Sequence, residues 1–89
     1  MNRDELKKGA VVRHFKYETL TESEKAEKKY LYEITGIAAH TETEEELVIY
    51  RALYGEGKLW ARPVSLFLSA VDREKYPFIK QQGRFELFS

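Results

Sequence analysis

Apolar and polar positions recur mostly with a period of two, the spacing of strands that bury one face. Gly9-Ala10-Val11-Val12-Arg13-His14-Phe15-Lys16 opens on a glycine that can turn the chain, carries a β-branched pair and alternates through Phe15, which predicts a first strand. From Tyr30 the alternation sets Tyr30, Tyr32 and Ile34 against Leu31, Glu33 and Thr35, predicting a second, longer one. Gly36 interrupts it and the apolar phase resumes shifted at Ile37 and Ala39, the signature of a bulge or sharp bend. Leu47 to Tyr54 is apolar on both faces, which suits a central strand. Gly55-Glu56-Gly57-Lys58 supplies residues for a tight hairpin, and Leu59-Trp60-Ala61-Arg62 returns as its partner.

The intervening stretches are polar. Residues 18–29 form a charged insertion without Pro or Gly and with almost nothing to bury. Thr21 and Glu24 fit a capping box and Glu24 with Lys28 an i,i+4 pair, enough for a marginal helix, so both a helical and a mobile insertion stay open. His40 to Glu46 is an acidic connection. Pro63 stops the strand before it, and Val64, Phe67, Leu68 and Val71 recur at helical spacing for one short helix that Pro63 can open. Asp72 to Lys75 is expected to be exposed, Tyr76-Pro77 to be an extended step, and Arg84-Phe85-Glu86-Leu87-Phe88 after Gly83 to be the last strand. With so little helix to cover a flat sheet, the sheet must cover itself. The expected fold is all-β: an SH3-like, partly open antiparallel barrel of about five strands with one short helical turn, the terminal strand lying beside the first. No repeat or linker divides residues 1–89, which read as a single domain.

Composition narrows the function classes. A chain of 89 residues holds one core. Fifteen Lys and Arg against fifteen Asp and Glu give zero net charge, which disfavours a protein that coats polyanions, although one basic face can hide in a balanced total. Nucleic acid is thus a partner that net charge does not favour. No run approaches the roughly 20 apolar residues of a membrane span, so no membrane partner is expected. The segment Met1 to Lys8 lacks the apolar core of a secretory signal, and there is no cysteine to staple a secreted domain. A cytoplasmic location is expected.

The strongest candidate chemistry is an aromatic and cationic patch. Tyr50, Tyr54, Trp60 and Arg62 cluster with the Arg13-His14-Phe15-Lys16 run: the three rings would act as stacking faces and Arg13, His14 and Arg62 as polar anchors, with the hairpin bringing Tyr54 near Trp60. Such a patch suits a non-enzymatic binding module for a small-molecule ligand or a partner protein. The competing reading is that these rings fill the core, and the two separate on whether Trp60, Arg62 and His14 line one concave surface. The alternative function is a small hydrolase or nucleotide-processing enzyme with His14 or His40 as general base. No Ser or Thr stands in a nucleophile context for it, Ser65 and Ser69 reading as helix surface. A third is an adaptor that pairs through a barrel edge. His14, His40, Glu42 and Glu46 lack metal-site spacing, Glu42 to Glu46 lacks that of a calcium loop, and Gly55-Glu56-Gly57 is too short for a phosphate loop. No metal and no cofactor are expected.

Taken together, Arg13-His14-Phe15-Lys16, Tyr32 with Gly36-Ile37-Ala38, His40-Thr41-Glu42-Thr43, Val48 to Gly55, Trp60-Ala61-Arg62-Pro63, Phe67, and Tyr76-Pro77 through Arg84-Phe85 carry a resemblance. On these residues the chain resembles a bacterial family known as domain of unknown function 1653, and the resemblance implies a small SH3-like barrel without an established activity. The chain departs at Ala39, where members usually have Arg before the His, and in the Thr19 to Lys29 insertion. The missing Arg removes one cation from any anion site.

Overall fold

The computed structural model describes residues 1–88. Five strands, β1 (Val11–His14), β2 (Leu31–Ala39), β3 (Glu46–Ala52), β4 (Leu59–Pro63) and β5 (Phe85–Leu87), form one antiparallel sheet in the order β4-β3-β2-β1-β5. Two helices of about one turn, α1 (Glu22–Ala26) and α2 (Val64–Phe67), and two 3₁₀ turns complete the fold. The architecture is all-β with a small helical part, and the sheet is not closed. β4 and β5 are its free edges, and the terminal strand lies beside the first, as expected of a curled sheet.

Register follows the apolar phase. Ile34 lies opposite Tyr50, and Tyr50 opposite Trp60, so these three side chains share the inner face. The register shifts between Ile34 and Gly36, and the hydroxyl of Thr35 donates to the Ile49 carbonyl there (3.0 Å). This is the bulge that the Gly36 interruption predicts. It returns Ile37 to the side of Val48, where it packs on the core, whereas Ala39 ends the strand exposed. β3 is an interior strand, with Val48, Tyr50 and Ala52 buried and the opposite positions half-buried. The hairpin to β4 turns at Gly55 (φ 59°) and Gly57 (φ 70°), a left-handed geometry that side chains resist.

Several expectations are corrected. The first strand ends at His14, because the chain tightens into a 3₁₀ turn over Phe15–Thr19. The second begins at Leu31, because Tyr30 has φ 64°. In the insertion, the Thr21 and Glu24 capping box forms α1, but Glu24 pairs with Lys29 (3.3 Å) and not with Lys28, whose φ of 63° takes it out of helical spacing. Helix α2 is a single turn capped by Pro63 and does not reach Val71.

The main core comprises Leu6, Val12, Tyr32, Ile34, Val48, Tyr50, Ala52, Phe67 and Phe85. Leu6 comes from the charged leading segment, a contribution the sequence pattern did not suggest. Phe67 on α2 and Phe85 on β5 lie face to face, centroids 4.1 Å apart and planes within 1°. Tyr50 meets both rings edge-on, at 5.2 and 5.5 Å. A smaller cluster of Phe15, Val71 and Ile79 packs under the return segment. Truncating Phe67 removes the ring that joins the two edges of the sheet. Phe67→Ala is expected to cost about 3–5 kcal/mol and Phe67→Leu roughly half as much, read as shifts in urea midpoint. Equal, small losses for both would show that the stack does not hold the fold.

Candidate functional site

The open side of the sheet carries a cleft lined from both edge strands. Trp60 and Arg62 alternate on the inner face of β4, two residues apart, where the apolar core runs out. Trp60 therefore remains 44% exposed while its neighbour Tyr50 is buried. Phe85 of β5 lies opposite His14 at the end of β1, and the His14 ring meets it edge-on at 5.1 Å. Tyr30 turns its ring to within 5.6 Å of His14, and its carbonyl accepts from the His14 N–H (3.0 Å).

The cleft has two chambers that share His14, Lys16 and Arg62. The smaller, about 170 Å³, is aromatic, with Tyr30, Tyr32, Tyr50, Trp60 and Phe85 around it. The larger, about 330 Å³, is basic, with Lys75 and Arg84 joining Lys16 and Arg62. The guanidinium of Arg62 lies over the Phe85 ring (5.7 Å), and its Nε donates to the Tyr50 hydroxyl (3.3 Å). Arg84 Nε donates to the Ser69 hydroxyl (3.1 Å). Asp72 is the one carboxylate on the lining, and its Oδ1 already accepts from the backbone N–H of Glu74 and of Lys75 (3.0 and 3.3 Å).

His14 sits among three cations. Burial, then the charges of Lys16, Arg62 and Arg84, push its pKa down from 6.5 to about 4. Its Nδ1 accepts from the Lys16 backbone N–H (3.1 Å), so the neutral ring carries its proton on Nε2 and acts as a donor. A general base needs a free nitrogen lone pair, which this tautomer does not offer.

Of the six expected site residues, the cleft gathers His14, Tyr50, Trp60 and Arg62. Tyr54 stands behind it: the register gives Trp60 the cross-strand partner Tyr50, while the Tyr54 hydroxyl meets that of Tyr32 (2.9 Å). Burial and that hydrogen bond push the Tyr32 pKa up. Arg13 points to the opposite face. There its Nε donates to Gln81 Oε1 (2.8 Å), and Gln81, only 4% exposed, donates back to the Arg13 and Gly83 carbonyls (both 3.0 Å). Glu18 accepts from the backbone N–H of Lys80 and Gln81 (2.9 and 2.7 Å), so Arg13 belongs to a clamp that holds the return segment on β1. Strand alternation alone separates Arg13 from His14. Lys16 enters with the Arg13 to Lys16 run. Tyr30, Lys75 and Arg84 were missed, since each lies in a turn or beside one and only the tertiary fold brings them in.

His40 is a turn residue at the far hairpin, its Nδ1 accepting from the Glu42 N–H (3.1 Å). Among the described residues no group of three or more His, Asp and Glu is placed to hold a metal ion. No helix among them is long and apolar enough to cross a membrane.

An open antiparallel sheet with an aromatic and basic cleft along its unpaired side defines the class of molecule. Residues 10–87 match the family described as protein of unknown function (DUF1653), and the chain belongs to it. No curated protein and no solved structure matches.

The depressed pKa of His14 makes stability depend on pH. Above about pH 6.5 the ring is neutral in both states and its contribution is complete. Between about 6.5 and 4 the unfolded chain binds a proton that the folded chain does not, so stability falls with falling pH across that window. The full shift corresponds to about 3 kcal/mol, reduced to about 1–2 by solvent screening of a partly exposed ring. Urea midpoints between pH 7 and 4.5 are expected to fall by less in His14→Gln than in the parent chain. Identical pH slopes would contradict the assignment.

Proposed function

We propose that the protein is a binding module whose cleft takes an anionic ligand, with the charge held among Lys16, Arg62, Lys75 and Arg84 and the rest of the ligand against Trp60 and Tyr50. The observation that carries this reading is that Trp60, Arg62 and His14 line one concave surface. Core filling does not account for a half-exposed indole beside a guanidinium oriented by Tyr50. A chain with zero net charge also gathers four cations against one carboxylate here, and that carboxylate is engaged by its own turn. Cations held on aromatic faces and hydroxyls at a half-dry surface attract an anion several times more strongly than the same charges in bulk water. The neutral imidazole adds an Nε2–H donor. This proton placement supports binding over the alternative of a hydrolase using His14 as base.

Inorganic phosphate and sulfate, titrated into ¹⁵N-labelled protein in low salt, are expected to shift the amides of His14, Lys16 and Arg84. Half-molar NaCl should suppress the effect, because exposed ion contacts are screened over a few ångströms at such ionic strength. The double variant Arg62→Gln, Lys75→Gln is expected to weaken binding about tenfold, which is about 1.4 kcal/mol. Spectra that do not change with either anion would reject the reading.

A further inference from the structure

The two chambers differ in chemistry. A bare inorganic anion uses only the basic one, and an uncharged ring only the aromatic one. Because they share His14, Lys16 and Arg62, a single ligand can engage both if a planar ring is joined to its anionic group through a short polar spacer. Their volumes, about 330 and 170 Å³, together lie within the usual range for small-ligand pockets, roughly 300–1,000 Å³.

The charge count selects the anion. Four cations against one carboxylate surround the larger chamber, an excess of positive charge greater than a single carboxylate ligand would match. A phosphate monoester brings nearly two negative charges and three acceptor oxygens, and two of the four cations are guanidinium groups, whose forked donors fit phosphate oxygens. The aromatic chamber selects the ring. Lys58 lies over Trp60 at 4.6 Å, which leaves one indole face for stacking and so suits one ring rather than a run of bases. Polar groups line the same chamber. The Tyr50 hydroxyl accepts from Arg62 and keeps its own proton to donate, and the indole and imidazole N–H groups stand nearby. Ring nitrogens and exocyclic oxygens use such donors, and a hydrocarbon ring does not.

We infer that the cleft holds a nucleoside monophosphate unit, its base stacked on Trp60 in the aromatic chamber and its phosphate among Lys16, Arg62, Lys75 and Arg84 in the basic one. This rests on the anion-binding reading above. The unit can be a free nucleotide or the 5′-phosphorylated end of a single strand.

The test titrates the intact chain in low salt with AMP, ribose 5-phosphate, inorganic phosphate, and a short oligothymidylate with and without a 5′-phosphate. AMP is expected to bind at least about tenfold more tightly than ribose 5-phosphate, the range that stacking on one aromatic ring supplies. Trp60→Ala should bring AMP down to the level of ribose 5-phosphate without changing the latter, and Trp60→Phe should restore most of the difference. The phosphorylated strand binding more tightly than AMP would assign the site to strand ends, and AMP binding as tightly or more so would assign it to free nucleotides. Equal affinity for AMP and ribose 5-phosphate overturns the inference but leaves an anion-binding module. An unphosphorylated strand binding as well as its phosphorylated form overturns it too. Failure of every phosphate probe to bind overturns both readings.

Discussion

The stacked pair of Phe67 and Phe85 is the contact on which the rest of the molecule depends. Hydrogen bonds do not pair β4 with β5, and the two edges are joined by the packing between them and by the short Ala70–Gly83 bridge that follows α2 and precedes β5. Phe67 follows directly from β4 through Pro63, and Phe85 opens β5, so their face-to-face contact joins the ends of the sheet that sequence order sets far apart. Tyr50 and Tyr32 pack edge-on against Phe85, which ties the middle strands to the same point. β4 and β5 do not pair, and the cleft lies along this unpaired side.

That seam also explains the chemistry around it. A closed barrel would bury Trp60 and exclude Arg62 from the inner face, since an unpaired guanidinium inside a small core is prohibitively desolvated. At an open edge the guanidinium lies over Phe85 without being sealed in the core. The same half-dry position keeps His14 neutral between Lys16, Arg62 and Arg84. On the opposite face of β1, Arg13, Gln81 and Glu18 pin the return segment, so that Arg84 and Lys75 reach the cleft from a stretch with little regular structure. Adjacent residues in one short strand thus divide between holding the fold and lining the site.

Much of this was legible in the order of residues. Period-two alternation located the strands, Gly36 announced the bulge, Gly55 and Gly57 announced the hairpin, and Thr21 with Glu24 announced the start of α1, because each reflects backbone geometry decided by near neighbours. Legibility failed where a neighbour lies far along the chain. Tyr54 was expected beside Trp60, but the register gives that place to Tyr50. Leu6 looked like part of a charged leader and is buried in the core. Tyr30, Lys75 and Arg84 carried no local pattern marking them as companions of His14, whereas Lys16 came with its own run.

The sequence by itself determined an all-β chain with one core, its turns, its bulge, and a supply of aromatic and cationic residues, since periodicity and glycine placement act over a few residues. The tertiary structure alone decided which of those residues meet. Convergence on one cleft depends on the register of β3 with β4, on the return of the chain to β1, and on the two phenyl rings that link α2 to β5. These are contacts between residues distant in the chain, and their energies leave no trace in local spacing.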